Sequence, residues 1–116
     1  MIKSLSVLFL LVFFLFGCSK GKIEEVTSPP TEEEIVIAMY REAVVALDSG
    51  DAYYAGKKFK EVESLLPQTK WAAKASLMES YSHYSRNAYQ KSIFSLERHI
   101  KSYPSDENIP YAHYLI

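Results

Sequence analysis

Few side chains in this sequence of 116 residues have the chemistry of a catalytic or metal-binding group. The three histidines, His83, His99 and His113, are separated by 16 and 14 positions. A zinc site on one helix needs two histidines a single turn apart, so this spacing indicates no metal site. The sequence also has no Gly-x-Ser-x-Gly motif and only one cysteine. We therefore predict no metal, no cofactor and no enzymatic activity, and we place the histidines at surface or part-buried positions.

One short segment is basic, Gly56-Lys57-Lys58-Phe59-Lys60, and it lacks the glycine spacing of a phosphate-binding loop. We interpret it as a solvated helix face close to Glu61 and Glu63. The alternative is contact with lipid head groups or with an acidic partner. The whole sequence has 13 Lys+Arg against 14 Asp+Glu, a formal charge of -1, which argues against a nucleic-acid partner.

The single cysteine, Cys18, follows a segment typical of a signal peptide. A short positive start leads into an apolar run over residues 5–16 that only Ser6 interrupts. This run is shorter than the roughly 20 residues that a membrane-spanning helix needs. Leu15-Phe16-Gly17-Cys18 then has the pattern of a bacterial lipobox, with Leu at position −3 and a small residue at −1. The pattern predicts cleavage before Cys18, a diacylglyceryl group on its thiol and an acylated amine.

Two other readings of Cys18 stay open, an ordinary signal peptide with a cysteine nearby by chance, or an uncleaved anchor. If the lipobox operates, three acyl chains would hold the protein on the bilayer, since a single chain binds with a constant of only about 10⁴ M⁻¹. Ser19 follows the cysteine where an aspartate would favour inner-membrane retention, so we expect outer-membrane sorting. We divide this region into a signal peptide, residues 1–17, and a lipidated, flexible polar linker, residues 18–30.

Helix signals begin directly after the linker. Thr31 and Glu34 have the spacing of a capping box, and Gly50 can end the first helix in the left-handed conformation. Asp51 can cap a second helix that ends at Leu66-Pro67. The predicted helices therefore run from residue 32 to about 49, from 52 to 66, from 70 to 86 and from 88 to 103, with a fifth starting beyond 106. No segment alternates like a strand, so residues 31–116 are predicted to be all-α.

The helical part repeats itself. A shift of 37 positions aligns Gly50 with Asn87, Phe59 with Leu96 and Pro67 with Pro104. A helical hairpin therefore occurs twice and starts a third time, similar to tetratricopeptide repeats, whose usual period is 34. Apolar stripes are predicted on the two second helices, one formed by Ala52, Gly56, Phe59, Val62 and Leu66, the other by Tyr89, Ile93, Leu96, Ile100 and Tyr103. The apolar segment 109–116 leads us to expect that the repeat domain is incomplete or is covered at this end.

Lipobox, polar linker and long-period hairpins together resemble the N-terminal part of the BamD family of outer-membrane lipoproteins. The motifs that carry the resemblance are Tyr84-Ser85-Arg86-Asn87-Ala88 and Leu96-Glu97-Arg98-His99-Ile100. The second motif resembles the family pattern Leu/Ile-[Asp/Glu]-Arg-Phe-Ile, in which His99 takes the place of the phenylalanine. The family usually has about five hairpins and docks to BamA through the last ones, which this sequence lacks.

The resemblance implies binding rather than chemistry. It implies a lipid-anchored protein on the periplasmic face of the outer membrane that assists insertion of β-barrel proteins. The implied partners are BamA, the other subunits of the BAM complex, unfolded β-barrel proteins and the bilayer. The first helix of each repeat lines the concave side of such an array, and aromatic or arginine side chains there suit a polypeptide ligand. The candidate binding residues are Tyr40, Arg41, Val44, Tyr81 and Tyr84.

Three alternatives accompany this hypothesis. The first is that the tyrosines at helical spacing are packing residues within and between repeats. Another envelope lipoprotein scaffold, acting in pilus assembly or cell-division coordination, would use the same repeats and the same anchor. An enzyme whose catalytic part lies beyond this sequence is a rival of a different class, which further 37-residue units in the reading frame would exclude.

Overall fold

The computed structural model describes residues 28–116, in which five α-helices and no strand are present. The helices are α1 Glu32–Asp48, α2 Ala52–Leu65, α3 Lys70–Ser85, α4 Tyr89–Ser102 and α5 Ile109–Leu115. The predicted all-α fold is confirmed. The signal peptide, Cys18 and the linker up to residue 27 lie outside the described residues. Within residues 28–116, none of the helices has the length and apolar character needed to cross a bilayer.

Side-chain caps start the first three helices where the sequence places them. At α1 the Thr31 hydroxyl accepts a hydrogen bond from the Glu34 amide at 3.2 Å, and the Glu34 carboxylate accepts one from the Thr31 amide at 2.8 Å. The Asp51 carboxylate accepts from the amide of Tyr54 at 3.0 Å at the start of α2. Thr69 caps α3 in the same way. These bonds satisfy amides that a helix leaves free at its start, so they define the boundaries locally.

The α1–α2 and α3–α4 turns have matching geometry 37 residues apart. Gly50 has φ 93° and Asn87 has φ 60°, the left-handed conformation that ends a helix. The amide of Asp51 donates to the Ala46 carbonyl at 2.9 Å, and the amide of Ala88 donates to the His83 carbonyl at 2.9 Å. Asparagine replaces glycine in the second turn because it tolerates this conformation better than most residues. The turns thus confirm the repeat alignment.

The apolar core lies between α1, α2 and α3. Phe59 and Val62 are completely buried in it, as the predicted stripe of α2 requires. Small residues bring the helices close together: a Cβ placed on Gly56 would lie 3.3 Å from the Cβ of Ser82 on α3. The other fully or almost fully buried apolar residues of this cluster are Val36, Ala43, Ala55 and Ala75.

The predicted stripe of α4 is wrong at its first position and incomplete elsewhere. Tyr89 is exposed, and Ile93 and Ile100 are only half-buried. The buried side of α4 consists instead of Ser92, Ser95, Leu96, His99 and Tyr103. The buried face of α4 is therefore rotated from the predicted apolar stripe towards polar side chains. A search for apolar periodicity does not detect a buried face of this kind. On α5 only Ala112 is buried, and Tyr111, Tyr114 and Leu115 are exposed.

Candidate protein-interaction surface

Tyr40 on α1 is a packing residue with an accessible edge. Its ring lies 5.3 Å from the ring of Phe59 and 5.4 Å from that of Trp71, centroid to centroid, with both neighbours edge-on. Aromatic rings in this arrangement attract each other beyond the area they bury. Burial raises the pKa of the Tyr40 hydroxyl above its ordinary value. Tyr40 therefore joins α1 to both α2 and α3.

The two other candidates on α1 differ from each other. Val44 is half-buried and packs against the apolar core, whereas Arg41 is exposed. Trp71 and Lys74 extend the same surface onto α3, where the Lys74 ammonium lies 5.4 Å above the Trp71 ring. This part of the surface therefore offers two exposed cations beside partly covered aromatic rings.

The second pair of candidates, Tyr81 and Tyr84, forms an exposed aromatic cluster. Tyr81 is 51% exposed and Tyr84 is 58% exposed, and their rings are stacked at 6.4 Å. Tyr89 of α4 joins them, with its ring 5.6 Å from that of Tyr84. The Tyr89 hydroxyl donates to the Asn87 side-chain oxygen at 2.8 Å, which holds this ring beside the turn. We call Tyr81, Tyr84 and Tyr89 the tyrosine cluster.

The five candidate residues thus fall into two groups. Tyr40, Arg41 and Val44 lie on α1, next to the start of α3, whereas Tyr81 and Tyr84 lie near the end of α3. All five lie on the first helices of the two hairpins. Only the tyrosine cluster and Arg41 present mainly exposed side chains. Sequence reasoning missed Tyr89 as a member, because its position in the apolar stripe of α4 suggested burial.

The histidine prediction is wrong for His99, which is fully buried. His83 is half-buried and His113 is exposed, as expected. Among residues 28–116, neither ring nitrogen of His99 finds a hydrogen-bond partner, and the carboxylate of Asp106 lies 3.7 Å from Nε2. Burial lowers the pKa of His99, against the opposing charge of Asp106. Within residues 28–116 no group of three or more potential metal ligands is present.

Arg98 on α4 joins three helices through a pair of carboxylates that the sequence analysis did not foresee. Its guanidinium donates to both carboxylate oxygens of Glu63 on α2, at 2.6 and 2.8 Å, and also to the carboxylate of Glu79 on α3. The Tyr103 hydroxyl donates to Glu63 at 3.0 Å. Lys60 lies 3.2 Å from Glu63 on the more exposed side. We call Glu63, Glu79 and Arg98 the arginine network.

The lowered pKa of Glu63 indicates that this carboxyl group stays charged near neutral pH. Burial alone would raise the pKa of Glu63, but the hydrogen bonds and charges of Arg98 and Lys60 outweigh it and lower the pKa. Burial and the neighbouring Glu63 raise the pKa of Tyr103 to about 12. A carboxylate held in this way is poorly suited to exchange protons near neutral pH. The bonds from Arg98 therefore indicate a structural role for Glu63 and Glu79.

Most of the chain is similar to a known protein family. The profile of the YfiO family, described as "Outer membrane lipoprotein", matches residues 32–116, which include all five helices. The chain belongs to the YfiO family. This result confirms the predicted family and agrees with the all-helical fold.

Named relatives of this YfiO-family chain are outer membrane protein assembly factors called BamD. The protein from Caulobacter vibrioides is 35% identical over 99 residues, covering 85% of this chain and 32% of the relative. The protein from Rickettsia prowazekii is 27% identical over 114 residues, covering 97% of this chain and 43% of the relative. The protein from Neisseria gonorrhoeae is 27% identical over 101 residues, covering 87% and 38%. The chain therefore spans about a third to two fifths of these relatives, and no solved structure matches it significantly.

The structure explains two residues of the YfiO-family motif around α4. Arg98, which the motif contains, is the centre of the arginine network. His99 stands where the resemblance led us to expect phenylalanine, and its full burial next to the Tyr103 ring suits an aromatic side chain. The motif could therefore have indicated that Arg98 and His99 are structural residues, although it does not predict which residues they contact.

Proposed function

We propose that this chain forms the first repeats of a lipid-anchored assembly factor on the periplasmic face of the outer membrane. It acts by binding other proteins, namely BamA with the other subunits of the BAM complex and unfolded β-barrel proteins. The main support is the family match over residues 32–116, together with relatives that are named assembly factors. These names favour the assembly role over pilus assembly or cell-division coordination.

The anchor of this proposal is the acylated Cys18. The support is that the single cysteine of the chain stands in a lipobox and that the family is described as lipoproteins. In bacteria given labelled palmitate, the full chain is expected to carry the label and Cys18→Ser to lack it. Ser19→Ala is the matched control and is expected to stay labelled. Label on the Cys18→Ser chain would refute the anchor.

The binding surface of the proposal comprises Tyr40, Arg41, Val44, Tyr81 and Tyr84, with Tyr89 added by the structure. Its strongest part is the tyrosine cluster, because three exposed rings in contact offer a large area at little cost in side-chain entropy. Arg41 can pair with a carboxylate of the bound chain. Tyr40 and Val44 contribute only the edges that the core leaves accessible.

Co-purification and binding measurements test this surface. The tagged full-length protein is expected to recover BamA from membranes, and the processed chain is expected to bind an unfolded β-barrel protein in solution. Tyr81→Ala combined with Tyr84→Ala is expected to weaken the second interaction about tenfold or more, since exposed tyrosines are frequent hot spots of binding. Tyr53→Ala combined with Phe94→Ala is the matched control, because both side chains are at least as exposed and lie on the second helices.

Two outcomes would overturn the proposal. A complete absence of BamA and of barrel proteins from the purified sample would remove the assembly role. Equal binding by the tyrosine variant and the control variant would be compatible with the assembly role but would show that the tyrosine cluster is not its binding surface. Circular dichroism of each variant shows that the fold is retained.

A further inference from the structure

An open groove of about 370 Å³ lies between α2 and α4, above the end of α3. Most of the side chains lining it are basic or aromatic, and its position is distinct from the tyrosine cluster. We call it the α2–α4 groove; its lining includes Tyr53, Lys57, Lys60, His83, Arg86 and Lys91. The basic segment singled out in the sequence supplies two of these residues.

The two acidic residues in the lining have partners of their own. Glu79 accepts a hydrogen bond from Arg98, and Glu61 pairs with Lys58 at 3.0 Å. By contrast, Lys57, Arg86 and Lys91 make no ion pair with any residue of the described segment. The groove therefore has an uncompensated positive charge, which attracts anions.

Two further observations show that these cations lie close together. The Lys57 ammonium lies 5.5 Å from the centre of the Tyr53 ring, and the Arg86 guanidinium lies 4.9 Å from it. Burial lowers the pKa of His83, and the charges of Arg86 and Lys91 lower it further, against the effect of Glu79. The cations thus converge on one place rather than being scattered over the surface.

The same side of the molecule also presents exposed aromatic rings. Tyr53 is 61% exposed, and Phe94, three residues after Lys91 on α4, is 68% exposed. Lysine and arginine beside exposed aromatic rings are typical of a surface that lies on a bilayer, where phosphates meet the cations and the rings enter the interfacial layer. An acidic polypeptide would match the cations but would leave Phe94 in water.

The geometry of the chain permits this contact. The groove begins at the start of α2, just beyond the end of α1, whose 17 residues are about 25 Å long. The twelve residues that separate Cys18 from Thr31 span up to about 40 Å when fully extended. The membrane attachment at Cys18 therefore leaves enough chain for the groove to reach the same bilayer.

We infer that the α2–α4 groove binds the phosphate head groups of anionic phospholipids and thereby lays the second helices of the repeats on the membrane surface. The inference rests on the proposed attachment through Cys18. It leaves Tyr81 and Tyr84, the part of the tyrosine cluster on the first helix of the second hairpin, free for polypeptide ligands. The groove then orients the repeat array, a task that the acyl anchor cannot perform through a polar linker.

The test uses the processed full chain on nanodiscs that carry a spin-labelled head group. One set of discs contains phosphatidylcholine only, and the other contains an equal share of phosphatidylglycerol. NMR signals of the groove, such as those of Lys57 and Lys91, are expected to broaden on the anionic discs only. The broadening is expected to disappear at about 1 M salt, where the screening length falls to about 3 Å.

Charge reversal on two faces separates the groove from a general electrostatic effect. Lys57→Glu combined with Lys91→Glu is expected to abolish the anionic broadening. Lys70→Glu combined with Lys74→Glu changes the net charge equally on α3 and is expected to retain it. The inference is overturned if both variants behave alike, or if the groove signals broaden equally on neutral discs. It is also overturned if an oligoglutamate peptide, but not the anionic disc, shifts these signals.

Two controls separate this result from related ones. A titration with glycerol 3-phosphate shows whether a free phosphate monoester binds the groove without a membrane. If this compound shifts the groove signals to saturation while the anionic discs have no effect on them, a membrane contact is contradicted. Retention of the chain on neutral discs reports the acyl anchor alone. If the anchor is absent, the anionic discs are still expected to recruit the chain, and the Lys57→Glu/Lys91→Glu variant to lose that recruitment.

Discussion

The two successive hairpins share a backbone design but have different interiors. Around Phe59 the buried side chains are apolar, with valines and alanines contributed by α1, α2 and α3. Along α4, one repeat later, the side chains buried beside Leu96 are Ser92, Ser95 and His99. Tyr103, which follows the helix, donates its hydroxyl to the buried carboxylate of Glu63. The turns that open α2 and α4 are nevertheless formed by the same hydrogen bonds.

This difference shows that the hairpin geometry does not depend on the chemistry of the interior. Caps and left-handed turns define the hairpin locally, and interiors of different polarity can fill the space between its helices. Apolar packing is non-directional, whereas the bonds of Arg98 fix the position of α4 relative to α2 and α3. The second interior therefore sets the register of the repeats more strictly than the first.

The largest expected effect comes from the aromatic centre of the apolar interior. Phe59→Ala is expected to lower the free energy of unfolding by about 3–5 kcal/mol, and Leu96→Ala by about 2–3 kcal/mol. Both side chains are almost completely buried, but leucine is smaller than phenylalanine, so its truncation leaves a smaller cavity. Urea unfolding measures both changes.

Phe94→Ala is the control for this pair, since that ring is mostly exposed, and it is expected to change stability by less than about 0.5 kcal/mol. Equal costs at Phe59 and Leu96 would contradict the smaller cavity expected at Leu96. A negligible cost at both would refute the stacked-repeat fold.

The next effect comes from the arginine network. Arg98→Met is expected to cost about 2–3 kcal/mol, because it leaves the carboxylates of Glu63 and Glu79 buried without their main cation. This value is below that for a fully buried pair, since the Arg98 side chain keeps some contact with water. Adding Glu63→Gln and Glu79→Gln to Arg98→Met is expected to recover part of the loss.

Lys101→Met is the matched control on the same helix, at an exposed position, and is expected to cost less than about 0.5 kcal/mol. If Arg98→Met resembled Lys101→Met in urea unfolding, the network would contribute nothing to the second interior. The two hairpins would then not differ in electrostatic stabilisation.

The smallest effect, and the one specific to pH, comes from His99. Because burial lowers its pKa below the ordinary 6.5, the unfolded chain takes up a proton more readily than the folded one. Stability should therefore fall as pH decreases below about 6.5, by at most about 1.4 kcal/mol per pH unit for this group. His99→Phe is expected to remove this part of the slope and to add about 1–2 kcal/mol at neutral pH, since two unpaired nitrogens leave the interior.

Measurements of stability against pH check this expectation. His83, whose pKa is also lowered, keeps its own share of the slope in the His99→Phe variant. Phe94→Ala, at an exposed position without an ionisable group, is the control and should leave the slope unchanged. The lowered pKa of Glu63 predicts a separate loss of stability only below about pH 4.5. A His99→Phe variant with the full original slope would contradict this account.

Much of the fold could be predicted because its signals are local. Thr31, Asp51 and Gly50 act within four residues of their own positions, and the helix boundaries that they predicted are confirmed. The candidate surface was harder to predict: the five proposed residues share the first helices, but periodicity could not tell the half-buried Tyr40 from the exposed Tyr84. That distinction depends on which neighbouring helix covers each side chain.

The sequence by itself determined the helices, their turns and the 37-residue repeat, since hydrogen bonds within one turn of helix encode them. Only the tertiary structure decided the burial of His99, the exposure of Tyr89 and the bonds of Arg98 to Glu63 and Glu79. These contacts join residues 19 and 35 positions apart, across helices whose rotation the apolar pattern leaves loosely defined. The α2–α4 groove likewise exists only because packing brings three helices together, so that cations distant in sequence face one space.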